Sequence, residues 1–183
     1  MKSVYNFVVT PVKSRYNNTK DIGGKELIVN TEIFNHQYVS REAIVKAIPT
    51  VGDTDIKIGD KVIVHHNVFR RWHNQHGIEK NSRGYIDEET YLVQPDQIFL
   101  YKDTEWQAQK GYCFVAPVKS TDKLSVDKEK PLVGIVKHTD GTVNKGDLIG
   151  FRPSSEYEFI IDGQKLYRAV SYTHLTLPTN LRV

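Results

Sequence analysis

Four short blocks occur twice in this chain, in the same order. "VVTPVK" at 8–13 returns as "FVAPVK" at 114–119, "AIVK" at 43–46 as "GIVK" at 134–137, and "IGDKVI" at 58–63 as "KGDLIG" at 145–150. A fourth block, "YIDEETYLV" at 85–93, aligns with "IIDGQKLYR" at 160–168. Such a repeat constrains the fold strongly, because each copy must bury an apolar face of its own. Length alone leaves the choice open, since 183 residues can build one generous core or two small ones. The repeat selects two modules, with "KDTEWQAQKG" at 102–111 as the junction.

Within each copy the blocks read as strands. "YNFVVTPV", "EAIVKAI", "DKVIVHH" and "ETYLV" are short, rich in Val, Ile, Tyr and Phe, and bounded by Gly, Asp and Pro. Only "VSREAIVKAI" admits a helical reading; its counterpart "KPLVGIVKH" carries Pro131 and Gly134, so both are predicted as strands. "KIGD" and "NKGD" are predicted as tight turns, with Gly59 and Gly146 at positive φ and the following aspartates bonding nearby backbone N–H groups. Many short strands without alternating helices point to an all-β fold of small antiparallel barrels, which hide their edges by closing.

Apolar residues make up 39% of the chain and charged residues 26%, the balance of a folded protein. Cys113 is the single cysteine, so no internal disulfide is expected, and the opening "MKSVYNFVVTPVK" is too interrupted for a secretory signal. Both features predict a cytoplasmic location. Every apolar run is cut short of the roughly 18–20 residues that cross a bilayer, which argues against a membrane. The net charge of +3 is too modest to indicate nucleic acid as a partner.

The order of a first strand ending in Pro, a long loop, "AIVKAI", "DIKIGDKVIV", then "YIDEETYLVQPDQIFLY" resembles the GroES-type co-chaperonins, small subunits that cap a chaperonin folding chamber. The resemblance runs over nearly the whole chain, twice. It implies two tandem GroES-like irregular β-barrels, over residues 1–104 and 111–169, and association of subunits into a homo-oligomeric ring. It also implies docking on a GroEL-type chaperonin through a mobile loop in which a glycine pair leads to an apolar tripeptide. Here the loop is 14–37, with Gly23 and Gly24 as hinge and Leu27, Ile28 and Val29 as the chaperonin-binding tripeptide. Lys25 and Glu26 separate the two, a departure from the family pattern. The second copy's "STDKLSVDKEK" is shorter and has neither a glycine pair nor an apolar triplet, so docking is expected from the first copy only. No cofactor is expected, since the chaperonin partner would bind and hydrolyse the ATP. The bland reading of "ELIVN" is one more core strand.

Three other groupings of residues bear on function. "HHNVFRRWHNQH" gathers His65, His66, His73 and His76 around Arg70, Arg71 and Trp72, but without a carboxylate or thiol at ligand spacing it is read as a solvated loop rather than a metal site. An aromatic between arginines also suits nucleic acid, which gives the competing function: a non-enzymatic viral or nucleic-acid-associated barrel module that has lost chaperonin contact. Asp87, Glu88 and Glu89 read as a solvated hairpin turn, and Cys113 as a buried inert thiol. No dinucleotide fingerprint, P-loop, "GxSxG" or "HExxH" occurs, so the expected protein is not an enzyme.

After "DGQKLYR" the repeat register is lost in "AVSYTHLTLPTNLRV". This stretch resembles the translated read-through of a transposon-type sequencing adapter. Residues 170–183 are accordingly expected to be a non-native tail, leaving the second barrel without its closing strand and with an open edge.

Overall fold

The computed structural model of the chain describes residues 2–16, 19–28, 38–120, 129–151, 157–170 and 174–176. Regular structure among them is all β, apart from short 3-10 turns such as His66–Val68 and Pro95–Gln97. The chain divides into two units, Met1–Glu105 and Trp106–Val183. The first contains β1 (Phe7–Pro11), β2 (Thr19–Ile22), β3 (Lys25–Ile28), β4 (Glu42–Ala47), β5 (Lys61–Val64), β6 (Arg71–His73), β7 (Glu79–Asn81), β8 (Tyr85–Asp87), β9 (Thr90–Val93) and β10 (Ile98–Lys102). The second contains β11 (Trp106–Ala108), β12 (Tyr112–Lys119), β13 (Glu129–Thr139), β14 (Leu148–Phe151), β15 (Tyr157–Ile161), β16 (Gln164–Val170) and β17 (His174–Thr176).

The two units repeat one strand order. In the first it is β10-β5-β4-β1-β9-β8, and in the second β17-β14-β13-β12-β16-β15, with antiparallel pairing between neighbours. The ladders match residue for residue. Val9 faces Val45 and Pro11 faces Ala43, just as Val115 faces Val136 and Pro117 faces Gly134. The same irregularity interrupts both ladders, where Val8 skips to Ala47 and Phe114 to His138, bulging Lys46 and Lys137.

The glycine-aspartate turns agree down to their hydrogen bonds. Gly59 and Gly146 stand at φ of 97° and 92°. The Lys57 N–H donates to Asp60 Oδ2 at 2.8 Å, and the Asn144 N–H to Asp147 Oδ2 at 3.0 Å. Gly59 N–H reaches the Val45 carbonyl at 2.8 Å, and Gly146 N–H the Val136 carbonyl at 2.9 Å, so each turn is stitched to the strand beside it.

Equivalent ladder positions fill both cores. Val9, Val45, Val62 and Val64 in the first unit correspond to Val115, Val136, Ile149 and Phe151 in the second, all buried. Each such side chain contributes about 1.5–3 kcal/mol of burial. Phe7 and Val93 are replaced by the smaller Cys113 and Ala169, so the second core has less bulk at that end.

Three sequence expectations are corrected, and the junction gains a strand. The fourth block is displaced by one residue: β1 sets Val9 against Tyr91 and β12 sets Val115 against Tyr167, so Tyr91 corresponds to Tyr167 rather than Leu166. The second hairpin turns two residues further from this ladder, at Asp162–Gly163 instead of Glu88–Glu89, which a block alignment through the turns misses. The edge of β14 is not open. β17, from the tail, pairs with it, setting Leu175 opposite Gly150 where β10 sets Leu100 opposite Ile63. The junction segment contains a strand, β11, whose buried Trp106 donates its Nε1–H to Asp162 at 2.8 Å. The histidine-rich loop is anchored rather than solvated, because Val68 and Phe69 enter the first core.

Candidate functional site

The residues on either side of the 17–37 stretch are joined by a clasp of buried residues. Tyr16 and Val39 form an antiparallel bridge, and the Ser40 N–H donates to the Arg15 carbonyl at 2.8 Å. Tyr16, Val39 and Ser40 are all buried. The Tyr16 hydroxyl accepts the Arg71 N–H at 2.7 Å while the Arg71 guanidinium lies 5.1 Å from its ring centroid.

Arg15 is the second half of the clasp. It donates to the Phe69 carbonyl at 3.3 Å, to Glu88 at 3.0 Å and to Asn81 Oδ1 at 2.7 Å, and lies over the rings of Tyr85 and Tyr91. A guanidinium is suited to this, since its forked donors satisfy three acceptors while its plane stacks on aromatic faces. No pattern in "KSRYNN" marks Arg15 for burial, and sequence reasoning missed it. Glu88 lies exposed in its hairpin turn and also serves as the ion partner of Arg15.

Beyond the clasp, β2 and β3 form a two-stranded hairpin with Ile22 opposite Lys25 and Thr19 opposite Ile28. Gly23 and Gly24 make its two-residue turn at φ of 63° and 79°, the doubly positive geometry of a type I′ turn. The expected hinge is therefore a hairpin tip. Ile22, Leu27 and Ile28 are 57%, 50% and 66% exposed, so "ELI" is a strand, but it lies outside the core. Side-chain alternation puts Leu27 on the face of Ile22 and Lys25, and Ile28 on the opposite face. As a strand, the segment offers its apolar side chains on two sides instead of as one contiguous hook. Val29 and the shorter counterpart at 121–128 lie outside the described residues.

The remaining groupings are dispersed. His65 Nδ1 accepts the Asn67 N–H at 3.1 Å and its ring stacks on His66, whereas His73 sits in β6 opposite Glu79 and His76 in the following turn. Among the described residues no group of three or more His, Cys, Asp or Glu is placed to hold a metal ion. Cys113 is fully buried in β12, and burial, aided by the Asp140 charge, pushes its thiol up to about 12. No helix among the described residues is long and apolar enough to cross a membrane. The chain matches no protein-family model and no curated protein sequence.

Proposed function

We propose that the protein is a non-enzymatic tandem co-chaperonin that binds a GroEL-type chaperonin through the β2–β3 hairpin. In this reading each unit is a GroES-like barrel, chains assemble into a ring, and the chaperonin supplies the ATP hydrolysis. The observation that carries the reading is the exposure of Ile22, Leu27 and Ile28 on a hairpin whose two feet are clasped by buried side chains. Burial of each aliphatic against a partner would contribute about 1.5–3 kcal/mol, offset by about 1–2 kcal/mol for each backbone residue fixed. One hairpin therefore binds weakly. Several on one ring act at high effective concentration and still release when the partner changes shape, as a reversible lid requires.

The test is co-sedimentation of the full chain with a GroEL-type chaperonin, with and without ATP. Retention that needs nucleotide and is lost in Leu27→Asp or Ile28→Asp supports the reading, and the two single variants report which face docks. Retention indifferent to both nucleotide and substitution, or no retention at all, overturns it.

A further inference from the structure

The first unit contains a cavity of about 680 Å³ between the 66–84 segment and the stretch around β9 and Pro95–Gln97. Its lining includes two guanidiniums, Arg70 and Arg83, and no carboxylate. Neither arginine has an ion pair among the described residues. The Arg70 Nε is buried and has no acceptor among the described residues, a costly state for a charged donor. Trp72, 38% exposed, contributes to the same wall, and Lys80 stands directly opposite it on β7. Asn6 and Asn67 bring side-chain amides that have no protein partner among the described residues. Val68 and Leu92 supply apolar surface.

Each feature selects part of a ligand. Two guanidiniums lining one cavity without a competing carboxylate suit a phosphate group, to which arginine offers forked, charge-assisted donors. An indole face suits a planar heterocycle, and side-chain amides carry both the donors and the acceptors found on the edge of a base. The volume falls within the range of small-molecule sites, about 300–1,000 Å³. We propose that this cavity binds a free nucleoside monophosphate, with its phosphate on Arg70 and Arg83, its base against Trp72, and the base edge met by Asn6 and Asn67. In sequence, the second copy's segment between β14 and β15 is much shorter and contains no tryptophan. This inference does not rest on the co-chaperonin reading.

The test is calorimetric titration of the full chain with AMP, adenosine, inorganic phosphate and a short oligo-dA, alongside indole fluorescence. AMP is expected to bind at least about tenfold more tightly than adenosine or phosphate, and Arg83→Ala to weaken it about tenfold or more. Arg83 is exposed, so this variant leaves the core untouched. The fluorescence change is expected to disappear in Trp72→Leu, where Trp106 remains as the internal reference. Four results overturn the proposal: adenosine binding as well as AMP, phosphate binding as well as AMP, oligo-dA binding more tightly than AMP, or no AMP binding at millimolar concentration.

Discussion

The Arg15 guanidinium, 5% exposed, holds the Glu88 carboxylate at 3.0 Å although the Glu88 side chain is 64% exposed. The two partners therefore carry unequal weight. Losing Glu88 leaves Arg15 bonded to Asn81 and Phe69, whereas losing Arg15 strips acceptors and aromatic faces of a donor that water does not replace. Glu88→Gln is expected to cost less than about 1 kcal/mol and Arg15→Met about 3 kcal/mol, read from urea denaturation midpoints. Equal losses would place the stabilisation in the ion pair alone.

Corresponding tyrosines of the two copies are expected to respond to the same substitution with opposite sign. Tyr91 buries its hydroxyl without a hydrogen-bond partner among the described residues, while the Tyr167 hydroxyl donates to Glu129 Oε2 at 2.6 Å. Tyr91→Phe is expected to raise stability by about 1 kcal/mol, and Tyr167→Phe to lower it by about 0.5–1.5 kcal/mol. A destabilised Tyr91→Phe would show that the hydroxyl has a partner after all.

Gly134 and Ala43 hold equivalent ladder positions, yet only one tolerates a methyl group. A Cβ on Gly134 would approach Val115 Cγ2 to 2.6 Å and the Ala116 carbonyl oxygen to 3.1 Å. Valine is stiff at χ1 and does not swing aside cheaply. Gly134→Ala is expected to cost about 1–3 kcal/mol in thermal unfolding, although the first copy carries alanine there. An unchanged melting temperature would show that β12 and β13 can separate slightly at no cost.

His138 and Cys113 are two buried titrating groups of the second unit whose shifts can be tested. His138 is held below its ordinary range, chiefly by burial and also by Lys145 and Lys137, against the opposing hydrogen bond with the Trp106 carbonyl. The unfolded chain takes up this proton first, near about pH 6.5, so stability from His138 is complete above that pH and declines as pH falls toward the lower native value. Urea midpoints of the second unit should fall between about pH 7.5 and 5.5, and His138→Gln should flatten that slope. The Cys113 thiol, pushed up to about 12, should resist a thiol reagent at neutral pH until the protein is unfolded.

The first three repeat blocks were legible because apolar alternation, a terminal Pro and a Gly-Asp turn fix register together, and the structure gives their two copies equivalent pairings. The fourth was displaced because its copies differ in arm length while both retain an aspartate near the turn. Sliding a strand by one residue exchanges its faces, so that small difference moved Tyr167 into the place assigned to Leu166. "TKDIGGKELI" was read as an open loop because a hairpin solvated on both faces shows no apolar alternation. Its legible signal was the Gly-Gly pair, which favours a two-residue type I′ connection. Arg15 had no signal: its burial depends on Asn81, Tyr85, Glu88 and Tyr91, which only the folded chain brings to it.

The clasp at Tyr16 and Val39 also sets a leash. A partner held at the hairpin tip would stay within about 35–40 Å of that bridge, half the fully drawn-out length of the chain between the two residues. Traction that reached the bridge would load the Tyr16 hydroxyl and, through it, the Arg71 backbone at the start of β6.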